Sequence, residues 1–304
     1  MIWRTLKAVL ALLFLAGLGL VAWIAFDPAP DRGGGPPARP RPAVEWPAAP
    51  ADCGAHPAFA QAAALNAISL TSAAWSVFGR PETGWEIYAP LTAQEIGSVC
   101  PPDTPGFAEA LAAWQGSDHP SGAGVMDEAT LQRLRTLWLS RRPFVAATAH
   151  GFCPPPATPD QLASTGPDEA FGGKPIQLRP GALAAYRELL AAARAESPEI
   201  GRDRRLLTIV SGYRDPDIVP QPCDLLADCR SITRARCSAH RTGVAMDLYL
   251  GAAPGYGPAA ADDANRLYQS TTPAYRWMIA NASRFGFYNY PFEPWHWEWT
   301  GEGP

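Results

Sequence analysis

Runs of one charge are missing from this chain, and no basic patch stands out. Its 25 Lys and Arg residues are interspersed with 29 Asp and Glu residues, giving a formal net charge of −4. Binding to nucleic acid relies on clustered positive charge that neutralises phosphates. The sequence therefore argues against nucleic acid as a partner.

Histidine is also scarce, which makes the position of each histidine informative. Only five occur in 304 residues, and two of them, His240 and His296, lie close to carboxylates. Asp247 follows His240 by seven residues, and Glu293 precedes His296 by three. Two imidazoles and one carboxylate can hold a catalytic zinc ion, and a spare carboxylate can take a proton from water. The pattern predicts a metal site.

Each of these residues also has an ordinary structural interpretation. A single His on a strand is more often a satisfied core or surface residue than a metal ligand. Asp247 alone could cap a turn, and Glu293 alone could be solvated. Their combination favours the metal site over coincidence.

The local patterns predict how these side chains meet. Residues Val244–Leu250 are interpreted as a buried strand, entered through a turn that Gly243 permits. A His at the turn and an Asp in the strand can then converge on one point. Around His296 the alternate positions are aromatic, namely Trp295, Trp297 and Trp299. This alternation predicts a second strand, with His296 and Glu298 facing away from the tryptophans.

The two segments resemble the motifs of the zinc D-alanyl-D-alanine carboxypeptidases of the vancomycin-resistance type. These belong to a larger group of peptidoglycan peptidases that includes phage endolysins and D-Ala-D-Ala dipeptidases. The group's pattern is Ser-x-His-x-x-Gly-x-Ala-x-Asp followed by Glu-x-x-His, which this chain matches at Ser238, His240, Gly243, Ala245, Asp247, Glu293 and His296. A Ser-Gly-Tyr-Arg block at 211–214 and a helix before the last motif are similar too, so the resemblance covers about residues 170–300.

The resemblance implies a role for each matched residue. His240, Asp247 and His296 would hold Zn²⁺, and Glu293 would be the general base, then the acid to the leaving amine. Arg214 would stabilise the oxyanion or orient the substrate carbonyl. An ion pair with Asp215 or Asp217 is the structural alternative for Arg214. Further substrate contacts are expected from Ser211, Tyr213, Ser238 and Trp295.

The function implied is hydrolysis of peptidoglycan stem peptides, above all removal of terminal D-alanine by a D,D-carboxypeptidase. The chain departs from the family where a Gln commonly follows the Ser-Gly-Tyr-Arg block, because a Cys-containing insertion up to Cys237 stands there. An endopeptidase with the same metal site is therefore an alternative, and a non-catalytic cell-wall-binding protein is another. No Ser-x-x-Lys motif stands in a suitable context, which disfavours a serine-type D,D-peptidase.

The chain contains six cysteines, which bear on the compartment in which it works. The spacing of Cys223, Cys229 and Cys237 lacks the Cys-x₂₋₄-Cys knuckle of structural zinc sites, so disulfides are favoured. We expect a Cys53–Cys100 bridge, and bridges that use Cys153 with the three later cysteines to rigidify the insertion before His240. Disulfides are typical of exported proteins.

The N-terminal residues predict a membrane segment. Arg4 and Lys7 precede an uncharged run from Ala8 to Phe26, about long enough to cross a bilayer as a helix with its N-terminus in the cytoplasm. A cleaved signal peptide is the alternative. Residues 27–50, rich in Pro and Gly, predict a tether. Either way the rest of the chain would lie on the exported side of the membrane, in the periplasm if the cell has an outer membrane.

The remaining residues are predicted to form two domains. Residues 51–150 contain two amphipathic helices around a Gly-rich loop and resemble the small helical peptidoglycan-binding domain, with an ordinary helical packing domain as the alternative. Residues 151–171 have the composition of a linker. Residues 172–304 would be the zinc peptidase domain, of α+β class, with a small antiparallel sheet and helices flanking the zinc cleft.

Overall fold

The computed structural model describes residues 49–77, 80–116, 124–149, 153–215 and 237–301. The predicted membrane segment 1–26, most of the tether, and Cys223, Cys229 and Asp217 lie outside these ranges. Within them, no helix combines the length and the apolar character that crossing a membrane would need.

The first part of the chain is mainly helical. Its helices are α1 (Ala60–Ser72), α2 (Ala89–Ile96), α3 (Pro105–Gln115), α4 (Glu128–Ser140) and α5 (Pro143–Thr148), and strands β1 (Ala74–Val77) and β2 (Arg80–Thr83) form an antiparallel hairpin. The side chains of Thr104 and Asp127 cap α3 and α4 by accepting hydrogen bonds from backbone amides of their first turns. Both helices were expected from apolar spacing.

The second part carries the main sheet. Strands β3 (Ala163–Ser164) and β4 (Gln177–Leu178) pair with each other, while β5 (Ile209–Ser211), β6 (Ala245–Leu248), β8 (Glu293–Trp299) and β7 (Phe287–Tyr290) form an antiparallel sheet in that order. The helices are α6 (Pro180–Glu196), α7 (Pro198–Arg202), α8 (Asp263–Ser270) and α9 (Pro273–Asn281). This arrangement confirms the α+β class.

Strand β5 is shorter than the apolar run 206–210 suggests. Leu207 has a positive φ of 63°, and the amides of Leu206 and Thr208 donate to Asp203 and Arg205 in turns. Strand β5 therefore begins only at Ile209, because the left-handed conformation of Leu207 and the turns around it interrupt the extended run.

One face of the main sheet packs on the helices. The largest apolar cluster joins α6 and α9 to inward-facing residues of the sheet, among them Met246, Leu248, Trp295 and Trp297. Since side chains alternate along a strand, burying these tryptophans turns His296 and Glu298 to the opposite face. The predicted alternation is confirmed.

A second apolar cluster contains residues from both parts of the chain. Trp85, Phe107, Leu134 and Trp138 from the helical part pack with Leu267, Tyr290 and Phe292. Fully buried Arg266 donates to Glu82 (2.9 Å) and to the hydroxyl of Tyr88 (2.7 Å). The described residues belong to one compact unit, and the division into two domains stays a prediction.

Two disulfides are present in the described residues. Cys53 joins Cys100, as expected, and Cys153 joins Cys237, one of the expected ways to fix the end of the insertion. Both bridges fit an oxidising, extracytoplasmic environment.

Candidate metal centre

His240 lies in a short 3₁₀ turn that leads into strand β6. The turn spans Ala239–Thr242, and the Ser238 hydroxyl caps it by accepting from the His240 amide at 3.3 Å. Gly243 ends the turn with φ 74°, the left-handed conformation that glycine adopts readily. A Cβ at this position would lie 2.9 Å from the Leu162 side chain. The predicted role of Gly243 as the entry to the strand is confirmed.

Asp247 and His296 face each other across neighbouring strands. They are direct partners in the register between β6 and β8, and Ser211 pairs with Asp247 on the other side. Directly opposite residues of an antiparallel pair have Cβ atoms about 4.5–5.5 Å apart. Sheet pairing thus brings the carboxylate and the second imidazole together.

Three atoms of these side chains form a small triangle. His240 Nε2 lies 3.2 Å from Asp247 Oδ1 and 3.1 Å from His296 Nδ1, and the last two atoms are 2.9 Å apart. All three residues are buried, with 1 to 5% of their surface exposed. We refer to His240, Asp247 and His296 as the His–Asp–His group, and it could hold a metal ion.

Each imidazole has an inner nitrogen in the triangle and an outer nitrogen that faces away from it. The hydrogen-bond partner of the outer nitrogen shows which of the two carries the hydrogen. His240 Nδ1 lies 2.6 Å from the Gly212 carbonyl, and His296 Nε2 lies 3.2 Å from Glu298 Oε1. Both oxygens can only accept, so the hydrogens belong on these outer nitrogens. A neutral imidazole protonated there offers a lone pair at its other nitrogen. Two lone pairs and a carboxylate oxygen then converge on one point.

This donor set fits a metal ion. Two ligands on a tetrahedral zinc ion, bound at about 2.0–2.1 Å, stand roughly 3.3–3.4 Å apart, close to the observed separations. Metal-ligating histidines usually donate their other ring N–H to a carbonyl or carboxylate, as both do here. Three acceptors without a hydrogen between them repel each other, and a cation relieves that repulsion.

Without a metal, a proton on His296 relieves the repulsion among the three acceptor atoms. Burial disfavours a charged His296, but the carboxylates of Asp247 and Glu298 outweigh it and raise the pKa of His296 to about 9. Burial dominates at His240 and lowers its pKa. Although burial opposes ionisation of Asp247, the two imidazoles hold its pKa well below the usual range. The metal-free group thus consists of an ionised Asp247, a protonated His296 and a neutral His240.

Glu293 stands beside the His–Asp–His group without joining it. One carboxylate oxygen lies 3.9 Å from His296 Nδ1, and the residue is 7% exposed. Burial raises the pKa of Glu293 to about 7, while His296 acts in the opposite direction. A carboxyl group poised near neutral pH, next to a metal site, suits proton transfer.

A cleft of about 140 Å³ opens over these groups. The two imidazoles and Glu293 line it, together with Ser238, Arg142 and Arg214. The Arg214 side chain is 44% exposed, and its Nη2 lies 3.9 Å from Asp247 Oδ2. Arg214 therefore places positive charge at the cleft, close to Asp247 of the His–Asp–His group.

Glu298 and Arg142 adjoin the His–Asp–His group, although the sequence motifs did not point to them. Glu298 is fully buried; it lies against His296 and accepts hydrogen bonds from Arg142 and the Phe144 amide. Its place on the His296 face could have been inferred from the alternation in β8. Nothing in the sequence pointed to Arg142, which is far away along the chain.

The remaining predicted contact residues divide between several places. Ser238 lines the cleft. Ser211 and Tyr213 line a separate groove that also contains Gln177. Trp295 is 2% exposed and packs in the main apolar core, so the structure does not bring it to the cleft, contrary to the expected substrate contact. The strand alternation that turns His296 to the cleft turns Trp295 away.

Neither the protein-family models nor the curated proteins that were compared with this chain gave a match.

Proposed function

We propose that this protein is a zinc-dependent peptidase that hydrolyses peptidoglycan stem peptides, as a D,D-carboxypeptidase removing terminal D-alanine. The observation that supports the metal is the convergence of two imidazole lone pairs and one carboxylate oxygen, 2.9 to 3.2 Å apart. The substrate and the choice of zinc rest on the resemblance of the four ordered motifs. Hydrolysis is supported by a buried Glu293 beside the group.

When bound, zinc supplies Lewis-acid chemistry, making water nucleophilic near neutral pH and polarising a carbonyl oxygen. His240, Asp247 and His296 would hold it. Glu293 accepts a proton from the attacking water. It then passes that proton to the amine nitrogen as the C–N bond of the peptide breaks.

Arg214 has the position to act on the substrate carbonyl. Its half-exposed guanidinium lies at the mouth of the cleft, on the Asp247 side. A fixed positive charge near the developing oxyanion lowers the barrier more than it favours the neutral ground state.

The proposed location is the cell envelope, on the exported side of the cytoplasmic membrane. The two disulfides support an oxidising compartment. The apolar run 8–26 would attach the chain to the membrane, and residues 51–150 would contact peptidoglycan.

The test uses the purified full chain, loaded with Zn²⁺, and a pentapeptide ending in D-Ala-D-Ala. Released D-alanine is measured by mass spectrometry, with and without a chelator, and bound zinc is quantified in parallel. We expect one zinc per chain and chelator-sensitive release. Zinc binding without release, but with cleavage of cross-linked peptide dimers, would replace the carboxypeptidase by an endopeptidase. Absence of zinc binding would leave a cell-wall-binding protein.

A further inference from the structure

We infer that Arg142 is a positioning residue for the metal site, acting through Glu298 on His296. This inference rests on the proposed metal site. Part of that site would then come from the helical first half of the chain, which the resemblance to the zinc peptidases does not cover.

The contacts form a continuous path to the metal ligand. Glu298 Oε1 accepts from Arg142 Nε at 3.0 Å and from Arg142 Nη2, and it also faces His296 Nε2 at 3.2 Å. Glu298 Oε2 accepts from the Phe144 amide at 3.2 Å. Arg142 precedes helix α5, so the start of this helix and its preceding residue fix the carboxylate from two sides.

Because Glu298 is buried, its position depends on the guanidinium of Arg142. Glu298 is fully buried and Arg142 is 9% exposed. A buried carboxylate without a partner is costly, so removing the guanidinium would force Glu298 to move. That movement would alter the hydrogen bond that orients the imidazole of His296.

Arg142 also contacts Tyr290, a residue that packs against His296. Its guanidinium lies 4.0 Å from the ring centre of Tyr290, and Tyr290 stands edge-on to His296 with centroids 5.9 Å apart. A planar guanidinium can stack and donate through several N–H groups at once, which the ammonium of lysine cannot do. Stacking on Tyr290 thus helps to hold the guanidinium against Glu298, through which Arg142 acts on His296.

A merely structural ion pair is the competing explanation. Arg266 and Glu82 form such a pair between the two parts of the chain, and among the described residues neither forms a hydrogen bond or an ion pair with the His–Asp–His group. A structural role for Arg142 predicts lost stability with unchanged metal affinity. A positioning role predicts lost metal affinity in a protein that is still folded.

The experiment measures Zn²⁺ affinity of the full chain by competition with a chromophoric chelator. The variants are Arg142→Gln, Glu298→Gln and the double variant. The matched control is Arg141→Gln, which removes the neighbouring arginine and its pair with Glu95. Thermal unfolding of the metal-free forms is recorded alongside.

We expect Arg142→Gln and Glu298→Gln each to weaken zinc binding about 10- to 100-fold, the usual effect of losing an outer partner of a ligand. The double variant should bind no more weakly than Glu298→Gln, because Arg142 acts through Glu298. Arg141→Gln should stay within about twofold of the wild type.

Two results would overturn the inference: a folded Arg142→Gln protein with wild-type affinity, or single losses that multiply in the double variant. If Arg142→Gln does not fold, Arg142→Lys provides the test, since it keeps the charge without the planar fork. It should fold and still bind zinc more weakly than the Arg141→Gln control. A wild-type chain that binds no zinc would refute the proposed function itself, before any variant is compared.

Discussion

At the scale of single residues, two oxygens outside the His–Asp–His group decide what that group can bind. The Gly212 carbonyl and the Glu298 carboxylate take the outer ring hydrogens, so both inner nitrogens face Asp247 as acceptors. Without these partners the same three side chains could form an ordinary hydrogen-bonded cluster. With them, three acceptor atoms converge, and in the metal-free protein the carboxylates of Asp247 and Glu298 raise the pKa of His296 to about 9, so that His296 holds a proton there.

That proton gives a prediction about pH. At pH 8, below the pKa of about 9, His296 is mostly protonated in the metal-free protein and must lose its proton to bind zinc. We expect zinc binding at pH 8 to release about one proton per chain, and affinity to fall as the pH is lowered from 9. Calorimetry in buffers of different ionisation enthalpy measures the number of protons released. Release of no proton at pH 8 would contradict the assigned protonation.

The second residue-scale prediction concerns Glu293. Replacing it by Gln keeps the shape but removes the group that accepts and returns the proton. We expect Glu293→Gln to lower kcat by roughly 100- to 10,000-fold while one zinc stays bound. Turnover of the pentapeptide and zinc content are measured on the same preparation. Activity near the wild-type level would remove Glu293 from the proton-transfer role.

At the scale of elements, strand pairing places two of the three side chains of the His–Asp–His group and a turn places the third. Asp247 and His296 are register partners, whereas His240 depends on the turn Ala239–Thr242 and on the strand end that holds Gly212. The turn is fixed from outside the sheet as well. The Ala157 amide donates to the Arg241 carbonyl, and the Arg179 amide to the Gly243 carbonyl, both at 2.8 Å.

Gly212 allows a direct test of the strand end. A Cβ there would lie 2.5 Å from the Gln177 carbonyl oxygen and 2.6 Å from the Ile176 side chain, so the backbone would have to shift. We expect Gly212→Ala to displace the carbonyl that orients His240 and to weaken zinc binding about 10-fold or more. Gly257→Ala is the control, because nothing lies within 4 Å of its Cβ. Equal zinc affinities of the two variants would contradict this role.

The two disulfides allow a comparison between a bridge next to the His–Asp–His group and a bridge elsewhere in the chain. Removing either by Cys→Ser substitutions should lower the free energy of unfolding by about 2–5 kcal/mol. Only loss of Cys153–Cys237 should also weaken zinc binding, because Cys237 lies three residues before His240. Urea unfolding and chelator competition measure the two effects. An equal loss of zinc affinity without Cys53–Cys100 would argue against local fixation of the turn.

The sequence predicted helices α3 and α4, strands β6 and β8 and the residues of the His–Asp–His group because the signal of each motif is local. Seven residues separate His240 from Asp247, and the alternation around His296 is visible within β8. Arg142 could not be found this way, since 156 residues separate it from Glu298 and no periodicity links them. The Gly212 carbonyl is a backbone atom without a side-chain signal. Trp295 was assigned to substrate although its own alternation placed it in the core.

At the scale of the whole molecule, the helical first part and the sheet share buried charges. Arg266 is fully buried and relies on Glu82 and Tyr88, and the second apolar cluster needs residues from both parts. Removing one partner of a buried ion pair typically costs about 3–5 kcal/mol. This is a large share of the total stability of most domains, about 5–15 kcal/mol.

A truncation tests this dependence. We expect a chain starting at residue 153 to lose cooperative unfolding and zinc binding, because it lacks Glu82, Arg142 and the apolar partners of Phe292. A chain starting at residue 49 is the control and should unfold in one transition. Far-UV circular dichroism in urea and zinc competition are the measurements. A cooperative transition with wild-type zinc affinity in the shorter chain would show that residues 153–304 fold alone.

The long separation between Arg142 and Glu298 has a consequence for the order of folding. Closing so long a loop carries a large entropic cost, so this contact is expected to form late, after the local helices and hairpins. A metal ion that binds only the completed site stabilises the native state by mass action and leaves partly folded chains unaffected. Metal supply would then bear on how much chain reaches and keeps the native state, and not only on the rate of hydrolysis.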